Sequence, residues 1–257
     1  MVATKESKWA VITGASDGIG RSLVHELGNR GYSVLALGRS AAKLETLKME
    51  YKGPGELQAH TMDFSTTGSG EDLQGLVADK AIELFIPAAG FGSSGNFVDL
   101  PLDTELEMVD VNCRAVVEQT QWFAQKFEQQ KHGTLILFSS LLGTAGSGTS
   151  AVYAATKNFI HAFAEGIRVE LKPAGVKVLT ICPGPTNSGF AQASQMTYSG
   201  ADSAADVAKG IVKSLGKNGT IYPAARARFL GFTLSTVPRF IRVEILTTVM
   251  RGLQSNK

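Results

Sequence analysis

Tyr153 and Lys157 stand four residues apart in the run Tyr-Ala-Ala-Thr-Lys, and Ser140 precedes the tyrosine by thirteen positions. Four residues is close to one helical turn, so both side chains project from one face of a helix. A phenol exchanges its proton poorly at neutral pH, because its ordinary pKa is about 10. An ammonium one turn away favours the phenolate and draws that pKa toward the working range. A hydroxyl at Ser140 can then hold a substrate oxygen beside the phenol. These residue types describe an acid–base site in need of a redox partner.

The front of the chain offers one. Residues 8–13 form a short apolar run that reads as a buried parallel strand, followed by Gly14-Ala-Ser16-Asp17-Gly18-Ile19-Gly20 and helical spacing at Leu23, Val24 and Leu27. Strand, glycine turn and helix in that order make a phosphate cradle, where N–H groups at the helix start face an anion. The spacing is G-x-x-x-G-x-G, not the G-x-G-x-x-G of the standard dinucleotide fingerprint, and a tight turn alone is the other reading. After the strand 33–38, the place where such folds carry an acid for the ribose 2′-OH holds Gly38, with Arg39 next. A guanidinium pairs with a 2′-phosphate that an acid would repel, so NADP(H) is expected; a solvated surface charge is the alternative for Arg39. Asp17 would not help a phosphate if it points into the turn. Strand 57–62 ends at Asp63, which is either an acceptor for an adenine amino group or a turn and capping residue.

Further along, strand 82–86 runs into Pro87-Ala88-Ala89-Gly90-Phe91-Gly92, small residues that let a ligand approach the backbone. One long helix is expected over 104–130. Asn112 lies in its apolar-striped part, as a satisfied structural amide or a site residue. Strand 134–138 closes on Ser139-Ser140, at the end of the sheet where ligands bind. The helix of Tyr153 and Lys157 extends to about 171, and strand 176–181 leads into Cys182-Pro183-Gly184-Pro185-Thr186-Asn187-Ser188. Residues 187–202 lack periodicity, carry Phe190, Met196 and Tyr198, and read as a lid over an apolar pocket. A helix over 204–215 and a strand over 220–222 follow. The tail 226–252 interleaves apolar residues with five arginines, and Pro238 splits it into two helical pieces. It can pack within the protein, lie on a membrane surface, contact a partner subunit or roof the substrate site.

Composition bounds the rest. With 257 residues, 44% hydrophobic and 19% charged, the chain has ample core, and neither repeat nor linker divides it, so one domain over 1–257 is expected. A net charge of +2 argues against a nucleic-acid surface. Cys113 and Cys182 make no metal-ligand cluster and read as two buried thiols of a reducing compartment. No apolar leader and no membrane-spanning run occur, which makes the cytoplasm the expected location.

Together, Thr13-Gly14-Ala15-Ser16-Asp17-Gly18-Ile19-Gly20 and the Ser140, Tyr153, Lys157 set resemble the short-chain dehydrogenase/reductase family over roughly residues 8–222. The resemblance implies an α/β fold, a doubly wound (Rossmann) parallel sheet of seven strands in order 3-2-1-4-5-6-7, here with an extra C-terminal helical tail. It implies Tyr153 as catalytic acid/base, Lys157 as its tuner and a nicotinamide-ribose contact, and Ser140, not Ser139, as the holder of the substrate oxygen. It makes Asn112 the holder of a relay water, Arg39 the NADP-preferring cation and Asp63 an adenine contact. Ala89 and Gly90 would line the cofactor, with Pro183, Gly184, Thr186 and Ser188 beside the nicotinamide. Two departures stand out: Pro87-Ala88-Ala89-Gly90 replaces the family's Asn-Asn-Ala-Gly, which puts a strand-to-strand tie in doubt, and Asp17 sits where some NADP-preferring members have a second cation. The implied activity is hydride transfer between NADP(H) and a carbonyl/alcohol pair on a partly apolar small molecule. A homodimer or homotetramer is implied by the resemblance alone. A non-catalytic NADP-binding sensor is the rival of a different class; a nucleotide-sugar epimerase or dehydratase would need a longer C-terminal part.

Overall fold

Strands covered on both faces read as nearly continuous apolar runs, and Trp9–Thr13 (β1) and Ser33–Gly38 (β2), polar only at Thr13 and Ser33, are buried throughout. The computed structural model describes residues 7–66, 68–190, 194 and 200–253; Met196 and Tyr198 of the expected lid lie outside the described residues. Strands β3 (Leu57–Thr61), β4 (Ile82–Pro87), β5 (Thr134–Phe138), β6 (Lys177–Ile181), β7 (Thr186–Asn187), β8 (Asp202–Ser203) and β9 (Gly219–Ile221) follow in chain order. The main sheet runs β3-β2-β1-β4-β5-β6-β9, every pair parallel. This is the expected doubly wound order. Its seventh strand is β9 because β7 and β8 pair apart, closing the two ends of the lid segment on each other.

Alternate residues of each strand feed two cores. Val11, Leu35, Leu37 and Phe85 face one helical layer with Phe123 and Phe127. Ala10, Ile12, Val34 and Ala36 face the other with Leu23 and Leu27. A third cluster sits off the sheet: Tyr153, Leu142 and Ala145 pack with Leu234, Leu246 and Met250 from the tail helices Ala225–Thr236 and Arg239–Leu253. Chain order reverses between β1 and β4, so the crevice at their carboxyl ends is where such a sheet binds ligands.

Two local findings correct the sequence reading. The helix expected over 104–130 is Leu102–Val109, a π-helical turn Asp110–Arg114 and Ala115–Gln130. The wide turn re-aims Asn112, and such turns recur at functional sites. The tie in doubt after β4 is present in another form: the Ala89 N–H donates to Thr13 Oγ1 at 3.0 Å, joining β1 to β4 without an asparagine.

The glycine turn tolerates no side chain. Gly14 has φ +65°, and a Cβ there would stand 2.7 Å from the Ala89 nitrogen. One on Gly20 would strike the Gly14 carbonyl oxygen. Gly14→Ala is therefore expected to cost about 2 kcal/mol or more in urea unfolding. Gly75→Ala, in the exposed interior of helix Ser69–Val77 with open space around it, should instead gain about 0.5–1 kcal/mol.

Candidate active site

Helix Ala151–Leu171 passes the carboxyl end of β5 and presents Tyr153 and Lys157 from one face. Lys157 Nζ lies 5.8 Å from the Tyr153 ring centroid and donates to the Phe138 carbonyl at 3.0 Å. Burial pulls the Lys157 ammonium down from its ordinary 10.5 to about 8. The sheet end is built around this cation: a Cβ on Gly90 would come within 3.8 Å of Nζ.

The two serines after β5 divide their work. The Ser139 hydroxyl donates to the Lys157 carbonyl at 2.9 Å, pinning the helix to the strand. Ser140 Oγ accepts from the Leu142 N–H at 3.2 Å, which leaves its own O–H to donate elsewhere. The Leu141 N–H donates to the Pro183 carbonyl at 3.2 Å, so the turn after Ser140 is fixed by the segment that follows β6.

Asn112 is buried, and its amide brackets the backbone of one residue, Phe91. Oδ1 accepts from the Phe91 N–H at 3.1 Å, and Nδ2 donates to the Phe91 carbonyl at 2.8 Å and to Thr156 Oγ1 at 3.2 Å. It thus holds the Gly90–Phe91 backbone against the helix of Tyr153 and Lys157, which makes it a structural amide placed inside the site.

At the other end of the crevice, Gly14, Gly18 and Gly20 open the first helix, Gly18–Gly28. Ser16 Oγ occupies the space above Gly38, which explains a glycine where an acid was sought. Ile19 packs partly buried against the core. Asp17 turns its carboxylate onto the turn as the cap of the first helix: Oδ1 accepts from the N–H groups of Gly18 at 2.6 Å and Gly189 at 3.3 Å, and Oδ2 pairs with Lys43. Burial pushes the Asp17 carboxyl up, but Lys43 and the N–H donors of Gly189 and Gly18 outweigh it and hold it below its ordinary value. Arg39 Nη1 pairs with Glu107 at 3.0 Å, both half-exposed. Asp63 Oδ1 takes the Ser65 N–H and hydroxyl, each at 2.9 Å, at the rim of an open pocket of about 480 Å³ that also includes His60, Met62, Thr66 and Asp72. The Ser65 N–H holds the Asp63 carboxyl low.

On the nicotinamide side expected from the sequence, Thr186 Oγ1 donates to the Gly184 carbonyl at 3.0 Å and Ser188 Cβ abuts Gly18. Ala89 backs onto Gly14, and Gly90 lies against Asn112 and Lys157. The sequence reading named Gly92 among the small residues after β4 and Phe190 in the segment after Ser188, and it missed Ser194. A Cβ on Gly92 would meet Phe190 at 2.9 Å, Tyr153 at 3.1 Å and Ser194 Oγ at 3.3 Å, so the bare glycine lets these side chains pack together at the phenol ring. Phe190 tilts over Tyr153 with ring centroids 5.4 Å apart. Ser194 is buried, and its Oγ has no hydrogen-bond partner among the described residues. An unsatisfied buried hydroxyl beside a candidate acid–base group is the one signal that finds it.

Of the two thiols, Cys182 is buried and Cys113 is partly exposed. Cys182 Sγ lies 3.6 Å from His161 Nδ1, whose Nε2 is 3.5 Å from Glu165, an outline like that of a nucleophile and base. Burial pushes the Cys182 thiol up to about 12, which leaves it inert.

The chain matches the family model of the short chain dehydrogenases over residues 8–199. An uncharacterised oxidoreductase of Staphylococcus epidermidis is 30% identical over 185 residues, covering 71% of this chain and 80% of that protein. An uncharacterised short-chain type dehydrogenase/reductase of Sinorhizobium fredii is 29% identical and covers 96% of this chain and 95% of its own length. Among solved structures, a short-chain dehydrogenase from Sphingobium yanoikuyae in complex with NADPH superposes with a TM-score of 0.79 at 21% identity, over 90% of this chain and 93% of that one. Family model, relatives and sheet order agree, and the chain belongs to the short-chain dehydrogenase family.

Proposed function

We propose that this protein is an NADP(H)-dependent oxidoreductase that interconverts a carbonyl and an alcohol on a partly apolar small molecule, with Tyr153 as proton donor and acceptor. The observation that carries this reading is the buried Lys157 ammonium one turn from Tyr153, at the carboxyl end of β5 beside Ser140. A buried cation next to a phenol favours its anion and so eases proton exchange near neutral pH. A dinucleotide suits the crevice: a glycine turn packed too closely on Ala88, Ala89 and itself to carry side chains at Gly14 and Gly20 leads from β1 into the N-terminus of the first helix, where backbone N–H groups favour a phosphate. When bound, the nicotinamide supplies or accepts the hydride.

The chain's own residues do the remainder. In reduction, Ser140 donates to the substrate oxygen and holds it by the phenol, and Tyr153 gives that oxygen its proton; oxidation runs these steps backward. Lys157 stabilises the phenolate and offers its other N–H groups to the ribose. Asn112 fixes the Phe91 peptide over the helix. Arg39, with Glu107 as its present partner, supplies the 2′-phosphate clamp, and Asp63 takes the adenine edge. Proteins of this fold bind NADPH, NADP or NAD, and Arg39 favours the phosphorylated form. Phe190, Leu141 and Leu142 make the substrate wall apolar, and residues 187–202 act as its lid. The unit so described spans the whole chain and works in the cytoplasm as a homodimer or homotetramer.

Tyr153→Phe keeps the ring and removes the proton; it is expected to lower kcat for ketone reduction by NADPH about a hundredfold or more. Undiminished turnover would refute the assignment, and cofactor binding without turnover of any carbonyl by the unaltered chain would favour the sensor. Arg39→Ala should weaken NADPH about tenfold or more and leave NADH within about threefold, read by fluorescence titration.

Lys157 also links function to stability. Its folded pKa of about 8 lies below its ordinary 10.5, so below pH 8 the fold carries the full cost of a buried charge. That cost is relieved as pH rises from 8 toward 10.5, where the unfolded chain still binds the proton and the folded one does not. Urea unfolding at pH 7 and pH 10 should therefore show the stability of the unaltered chain, measured relative to Lys157→Met, rising by roughly 2 kcal/mol at the higher pH.

A further inference from the structure

The two tail helices are apolar on more sides than the protein covers. Their inner face is fixed: Leu234, Leu246 and Met250 are buried in the cluster that holds Tyr153. Thr247 Oγ1 accepts from the Gly148 N–H at 2.8 Å, and Arg242 donates to the carbonyls of Thr144 at 3.2 Å and Val237 at 2.9 Å. The outer face is open. Phe229, Phe232 and Phe240 are 68%, 70% and 73% exposed, among the most exposed large apolar side chains of the described residues. Ile241, Ile245 and Val249, at i, i+4 and i+8, form a second exposed stripe on Arg239–Leu253. A helix that is apolar on both sides has a second surface to cover.

Charge identifies the cover. Residues 225–253 hold five arginines and one acid, Glu244, for a net +4, while the whole chain carries only +2. Arg228, Arg239 and Arg251 are exposed beside the open phenylalanines and the stripe. A second copy docked here by two-fold symmetry would bring like-charged rims together. An anionic bilayer suits both parts: headgroups take the guanidinium groups, and the phenylalanines enter the acyl boundary.

We propose that the outer face of Ala225–Thr236 and Arg239–Leu253 docks the protein on anionic phospholipid surfaces, lying in the interface without crossing it. No described helix is long and apolar enough to cross. The inner face keeps its contacts with the Tyr153 cluster, so docking holds the candidate active site next to the bilayer.

The test is flotation of the full chain with two kinds of vesicle, phosphatidylcholine alone and phosphatidylcholine with roughly one-third phosphatidylglycerol. Binding is expected on the anionic vesicles, about tenfold weaker on the neutral ones and about tenfold weaker at roughly 0.5 M salt. Phe229→Ser with Phe240→Ser, both exposed, should abolish flotation and leave the melting temperature in place. Arg228→Glu with Arg239→Glu should do the same through charge alone. A chain that floats with neither vesicle overturns the proposal, as does binding that both double variants retain. So does light scattering in which Phe229→Ser with Phe240→Ser turns a dimer into monomers, since that face would then be a subunit contact.

Discussion

A lysine ammonium set into the carboxyl end of a parallel sheet is an expensive object, and much of the local structure follows from keeping it there. Burying a charge without a full set of partners disfavours the charged form, and Lys157 is pulled down accordingly. Its neighbours are arranged around that cation. Phe138 gives it a carbonyl, Ser139 pins its helix to β5, and Gly90 leaves space above it. Asn112 then secures the backbone next to Gly90 through the Phe91 peptide. A site that stores unfavourable charge this way gives up stability, a trade common where acid–base chemistry is performed.

The sequence made legible whatever depends on short, local spacing. The four-position spacing of Tyr153 and Lys157 gives one face, and the glycine run after an apolar strand gives a turn and a helix start; both stand so in the fold. Strand order was legible only through resemblance, since parallel strands pair at long range. The π-turn at Asp110–Arg114 was not legible, because one extra residue in a helical turn leaves the apolar period almost unchanged. The β7–β8 ladder was hidden for a similar reason: two-residue strands carry no pattern. Gly38 misled in part. It looked like the absence of an acid, and in the fold it is also the room that Ser16 requires.

Asn112 shows how a structural reading and a site reading of one residue can both hold. Every polar atom of its side chain has a partner, and two of the three bonds go to the backbone of one residue, Phe91. By that measure it is a satisfied core amide. Yet the peptide it holds borders Lys157 and Gly92, and Gly92 is where Phe190 and Ser194 come down on the phenol. A residue can position a site from within without touching what reacts, and the wide turn that carries Asn112 is what lets it reach.

The two ends of the crevice are coupled by one carboxylate. Asp17 accepts from Gly18 at the opening of the phosphate cradle and from Gly189 at the start of the lid segment, while Lys43 balances its charge. Gly18 itself has no room for a Cβ because Ser188 lies against it. The glycine turn and the segment starting at Ser188 are thus packed and hydrogen-bonded as one unit, with Lys43 paired to the carboxylate that joins them. The same contact passes any movement of the glycine turn to Ser188 and Gly189, and from there toward Phe190 over Tyr153. The glycine turn and the Tyr153 phenol lie at opposite ends of the crevice, yet only a few packed residues separate them.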